Sequence, residues 1–219
     1  MKFRKARITQ RQYDWLVMIS YLSIFFLCSG LALPLGKVTS YIMSIAYTLL
    51  LIILGYINRK KLFTKISCRT VGMGILWGLI GVGIEMGSIL LVLILHHVSI
   101  RSLNTTNILS LVKQLPAFII YVVFVAPLLE ELVFRQSMYE RIKPWFDIHA
   151  ASFNSKTRFT LAAVCVGFIF AMVHSDSTVF EYIMISVLLQ VIYHHYKDIR
   201  VSMITHLTFN LATIICLLL

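Results

Sequence analysis

Residues 71–95, VGMGILWGLIGVGIEMGSILLVLIL, run for 25 positions with a single charged side chain, Glu85. As an α-helix this stretch would extend about 37 Å, enough to cross the roughly 30 Å hydrocarbon core of a bilayer. Comparable apolar runs flank it on both sides, at about 15–35, 38–57, 116–143, 159–174, 179–193 and 201–219. Together they predict an all-α fold, a polytopic transmembrane bundle of about seven helices, with six to eight allowed because the fifth and sixth runs are short. The 219 residues are 59% hydrophobic and 13% charged with a mean hydropathy of +0.86, a composition that leaves too little charge to cover a water-soluble domain. The expectation is one transmembrane domain over 1–219.

The net charge of +11 does not indicate a nucleic-acid partner. Its lysines and arginines cluster between the apolar runs, where they meet anionic headgroups and fix orientation. Lys2, Arg4, Lys5, Arg7 and Arg11 precede the first run, and Arg59, Lys60, Lys61, Lys65 and Arg69 follow the second. The positive-inside rule then predicts a multi-pass protein of the cell membrane with a cytoplasmic amino terminus and a carboxyl terminus outside. The basic start looks like a signal peptide's, but no small-residue cleavage site follows the first apolar run, which is read as a retained helix. The four cysteines lack the close paired spacing of a zinc site or disulfide framework.

Within run 71–95, Gly74 and Gly78, and then Gly83 and Gly87, form two small-xxx-small pairs that invite close approach of another helix. The polar segment 96–113, with Asn104, Thr105, Thr106 and Asn107, suits an outside loop, and 144–158 an interfacial segment. Trp15 and Trp145 fall near predicted boundaries as interface anchors. His96, His97, His149, His194 and His195 sit at helix ends or in loops, where interfacial positions are expected.

Ionisable side chains in a membrane are costly and mark function by default. The densest group is Ala126-Pro-Leu-Leu-Glu-Glu-Leu-Val-Phe-Arg135, where Glu130, Glu131 and Arg135 interrupt an apolar helix just after Pro127. Glu131 and Arg135 are one turn apart and positioned to pair, while Glu130 points about 100° away. Phe170-Ala-Met-Val-His174 follows, then His206-Leu-Thr-Phe-Asn210, whose polar residues share a helix face. Counted from the nearest basic residues, Glu130 and His174 lie about 20 and 24 Å from the inner interface, whereas His206 lies only about 9 Å up, which calls for a tilted or lower-starting last helix.

In its motifs Glu-Glu-x-x-x-Arg at 130–135, Phe-x-x-x-His at 170–174 and His-x-x-x-Asn at 206–210, the chain resembles the CPBP or Abi family. That family holds type II CAAX prenyl endopeptidases and bacterial bacteriocin-processing and self-immunity proteins. The resemblance covers about 127–210, within a family-like catalytic core of about 116–219. It implies an intramembrane endopeptidase, with Glu130 and His174 acting on the attacking water, His206 and Asn210 at the oxyanion, and Glu131 and Arg135 in support. The implied partners are membrane lipid and a peptide or protein substrate, including a lipid-modified one. The chain's small size favours the bacterial members, and with them peptide maturation or self-immunity.

The residue types agree with that chemistry. Peptide hydrolysis needs a base for water, donors for the oxyanion and a proton for the leaving amine, and these side chains supply all three. Two routes stay open: no required cofactor, or a divalent metal such as zinc held by Glu130, His174 and His206. The helix-borne His-Glu-x-x-His of common zinc peptidases is absent, which favours metal-independent water activation. No Gly-x-Ser-x-Gly or Gly-x-Gly-Asp occurs either. The alternative is a non-catalytic immunity or scaffold protein in which the same residues glue helices together. For Glu131 and Arg135 a purely structural ion pair fits as well as a catalytic role. Glu85 could line a substrate path, but a lone intramembrane acid more often pairs with a neighbouring helix.

Overall fold

The computed structural model describes residues 8–96, 102–176 and 178–218. Lys2, Arg4, Lys5, Arg7 and His97 lie outside those residues. Among the described residues the chain is helical with no strand: α1 (Gln10–Leu35), α2 (Lys37–Ile57), the single turn α3 (Arg59–Leu62), α4 (Cys68–His96), α5 (Leu103–Gln114), α6 (118–149), α7 (Ser155–His174), α8 (Val179–Tyr196) and α9 (Ile199–Leu218). Every one of the seven apolar runs falls on a helix. The chain is therefore an all-α membrane bundle.

Five of these helices, α1, α2, α4, α7 and α9, are long and apolar enough to cross a membrane unaided. Stretches of π-helix break α6 into short α-helical pieces, while α8 is less apolar along its length. Helix α6 carries Glu130, Glu131 and Arg135, and α8 carries Glu181 and Gln190. The bundle is apolar outside and polar within: Phe26 and Leu27 of α1 are 67% and 69% exposed, whereas Glu131, Arg135, Gln190, Ser202 and Thr205 are fully buried. That is the inversion lipid imposes, because apolar side chains lose nothing by facing hydrocarbon.

Local chemistry sets the ends. Helix α1 opens on a capping box, with Thr9 and Gln12 satisfying each other's backbone N–H groups. It turns into α2 through Gly36 alone, whose φ of 53° favours a residue without a Cβ. Asn154 caps α7 by accepting from the Thr157 N–H at 2.9 Å.

Helix α6 is not regular. It passes through π-helical stretches at Tyr121–Val125 and Glu131–Met138. Pro127 is the local cause of one defect. The Ala126 N–H bonds the carbonyl five residues back, on Tyr121, so in the same register the Val122 carbonyl would face residue 127, which has no N–H.

The basic residues gather at one end. Arg141 of α6 meets the buried Asp14 of α1 at 3.0 Å, Asn58 donates to Tyr13, and Arg200 donates to the Thr64 carbonyl at 3.0 Å. These contacts put the start of α1, the end of α2, the end of α6 and the start of α9 together.

The two glycine pairs of α4 behave differently. A Cβ at Gly74 would come within 2.6 Å of the Ile204 side chain, and one at Gly78 within 2.6 Å of Thr208 and 2.8 Å of the Thr205 carbonyl. Helix α4 therefore packs backbone to backbone against α9. Gly83 and Gly87 meet nothing within 4 Å and make no such seam. Substituting Gly78→Leu should separate α4 from α9, since a backbone carbonyl cannot rotate away, and cost about 1–3 kcal/mol by overpacking. A drop in the thermal unfolding midpoint of the detergent-solubilised protein would show it; an unchanged midpoint would mean the seam tolerates a gap.

One expected loop is helical, and the expected interfacial segment is partly so. Segment 103–114 forms α5 despite its polar, β-branched composition, because Ser102 caps it from its side chain and Asp176 caps it from across the bundle. The interfacial segment begins as the last turns of α6, which runs through Pro144 to His149, so His149 closes a helix rather than sitting in a loop.

Candidate active site

Glu130, His174, His206 and Asn210 come from three helices and line one cavity of about 410 Å³. Glu131 and Arg135 do not reach it. Both are fully buried behind its wall.

The centre is His206. Its Nδ1 lies 3.0 Å from Glu131 Oε1, and its Nε2 lies 3.7 Å from Glu130 Oε2. An ionised carboxylate only accepts, so Nδ1 carries the proton toward Glu131 and Nε2 faces Glu130 and the cavity. Glu131 is held in turn by Arg135, with Nε 3.5 Å from Oε2. Arg135 also donates through Nη1 to Ser186 Oγ on α8 at 2.7 Å and lies over the Phe170 ring of α7 at 5.4 Å. A chain of polar contacts thus runs from the cavity into the core, linking α9, α6 and α8.

His174 ends α7. Its Nδ1 lies 2.8 Å from the Phe170 carbonyl, which fixes the proton on Nδ1 and leaves the Nε2 lone pair for the cavity. The imidazole is flanked by the Phe170 ring at 4.4 Å and stacked on the Tyr182 ring at 4.3 Å and 28°.

Asn210 stands one turn beyond His206. Its Nδ2 donates to the Val122 carbonyl at 3.0 Å, the acceptor that Pro127 leaves without a backbone partner. One amide hydrogen is thus committed to α6, and the second remains for the cavity.

The depth mismatch resolves at this contact. Because His206 meets Glu130, the two share a level despite their different separations from the nearest basic residues. At the start of α9, Arg200 reaches the chain just after α3.

Sequence reasoning paired His206 with Asn210; the structure sets His206 between the two glutamates as well. It missed Tyr182, Ser186 and Asp176. A tyrosine or serine on an apolar run carries no distinctive signal, and Asp176 lies in the turn between α7 and α8. Glu85 lines the cavity and also accepts from Thr213 of α9 at 3.2 Å, so both readings of that residue have a counterpart.

The metal alternative was tested on donor geometry. Among the described residues no three His, Cys, Asp or Glu side chains converge as a ligand set. The arrangement does not fit a three-ligand zinc site.

The region that carries these residues has recognisable relatives. The family described as type II CAAX prenyl endopeptidase Rce1-like matches residues 112–212. The membrane-embedded CAAX protease MroQ of Staphylococcus aureus is 29% identical over 108 residues, 49% of this chain and 42% of that protein. YdiL of Bacillus subtilis, a suggested membrane peptidase, is 28% identical over 153 residues, 67% of this chain and 57% of that one. The chain thus spans about half the length of these curated relatives. No solved structure matches it. The segment that holds the glutamates, both histidines and the asparagine is thus similar to the type II CAAX prenyl endopeptidase Rce1-like family and to two bacterial membrane proteins named as peptidases.

Proposed function

We propose that this protein is an intramembrane endopeptidase that hydrolyses a peptide bond with water activated by Glu130 and His174. The observation that carries the reading is the meeting of a carboxylate, an imidazole with a free Nε2 and two further donors on one cavity wall inside an apolar bundle. Glu130 takes the proton of the attacking water, aided by His174 Nε2. His206, held by Glu131 through Nδ1–H and carrying a second proton on Nε2 between the two glutamates, donates Nε2–H to the developing oxyanion, and Asn210 donates its second amide hydrogen. Glu130 then returns the proton to the leaving amine. Glu131 and Arg135 hold His206 in place and touch no substrate.

The substrate is a peptide presented at the bilayer, lipid-modified or destined for maturation, and the names of the relatives favour a processed tail. The protein resides in the bacterial cell membrane with its basic end in the cytoplasm. Since the donor set does not form a three-ligand metal site, turnover should survive dialysis against a strong chelator. Loss of activity that zinc restores would replace the water-activation mechanism with a metal one.

The test of mechanism uses purified protein, an internally quenched peptide ending in a farnesylated cysteine motif, and hydroxylamine as a competing nucleophile. Direct attack by water gives only the free carboxylate. A hydroxamate product would reveal an acyl-enzyme and overturn the assignment of Glu130 as base.

A further inference from the structure

Helix α5 forms one side of the cavity through Asn104, Thr105, Asn107 and Ile108. Its first turn is gripped by Asp176, which lies two residues beyond His174. The Asp176 carboxylate accepts from the Leu103 N–H at 3.1 Å, the Asn104 N–H at 3.2 Å and the Ser102 hydroxyl. A carboxylate on the free N–H groups of a helix start satisfies otherwise orphaned donors and complements the helix dipole.

Tyr182 of α8 joins this grip to the site. Its hydroxyl accepts from Asn104 Nδ2 at 3.0 Å and donates to Asp176 at 3.4 Å, while its ring stacks on His174. The bond from His174 Nδ1 to Phe170 leaves the tilt of the imidazole to be set by the rings packed against it, Phe170 inclined at 43° and Tyr182 stacked at 28°. One side chain therefore touches both the cavity wall at α5 and the histidine.

We infer that Tyr182 is a positioning residue: its ring sets the plane of His174, and its hydroxyl keeps α5 docked over the cavity. The inference rests on the hydrolytic role proposed for His174. The two parts of the side chain then have separate consequences. Tyr182→Phe keeps the stack and removes the hydroxyl's share of the hold on α5, leaving the Asp176 grip, so kcat stays near the wild-type value while KM rises. Tyr182→Leu loses both, and kcat falls at least about tenfold because a misplaced base forfeits orientation.

The experiment compares wild type, Tyr182→Phe and Tyr182→Leu, full length in detergent, on the farnesylated quenched peptide. Alongside it, mass spectrometry follows carbethoxylation of His174 by diethyl pyrocarbonate. Loss of kcat in the leucine variant, recovered in the phenylalanine variant, is the expected result, together with faster modification of His174 only in the leucine variant. Equal kcat in all three, or equal loss in both variants, overturns the inference. If the wild type turns over no peptide, the hydrolytic reading fails separately. The modification rates then decide: a rate unchanged in Tyr182→Leu overturns the positioning role.

Discussion

Replacing Arg135 with methionine is expected to cost the folded protein about 3–5 kcal/mol, because it strands a buried carboxylate without its counter-charge. Glu131 and Arg135 are both fully buried, and Arg135 is the largest side chain so placed among the described residues. The variant keeps the stem's packing but removes the ion pair at 3.5 Å and the bond to Ser186. Little folded protein should survive extraction from the membrane. Adding Glu131→Gln to Arg135→Met should recover much of the loss, since two neutral groups no longer need each other. A single Arg135→Met variant as heat-stable as wild type would mean that Glu131 is not charged, and the held orientation of His206 would lose its basis.

Glu130→Gln is the opposite case, with no expected effect on the fold and a large one on activity. Glu130 makes one charged contact, with His206 at 3.7 Å, and keeps some exposure to the cavity, so an amide of the same shape fits. It cannot take a proton from water. Loss of a general base lowers kcat by about 10²–10⁴-fold, with KM nearly unchanged because shape and contacts persist. The adjacent glutamates are therefore expected to separate, substitution at Glu131 acting on stability and substitution at Glu130 on turnover.

The sequence made the membrane bundle legible because hydrophobic length is a direct consequence of bilayer thickness. It also marked the polar residues, since ionisable groups in apolar runs stand out. What it left obscure depends on contacts distant in the chain. Helix α5 looked like a loop because its own residues favour helix weakly; the Asp176 grip that holds it comes from more than 70 positions away. Gly83 and Gly87 matched the same spacing as Gly74 and Gly78, yet only the latter pair meets a neighbour, since spacing does not say which helix face is covered. The carbonyl that binds Asn210 could be found by counting five residues back from Pro127, but only once the π register is known. The contact of His206 with both glutamates likewise joins residues that counting from the basic residues put at different depths.

The most direct test of the account compares peptides and new chain termini in the membranes and medium of cells carrying wild-type protein or Glu130→Gln at matched expression. The account predicts at least one cleavage product present with wild type and missing with the variant. Identical profiles, under conditions where the wild-type protein exerts its biological effect, would contradict it and leave the polar network as a device for packing helices.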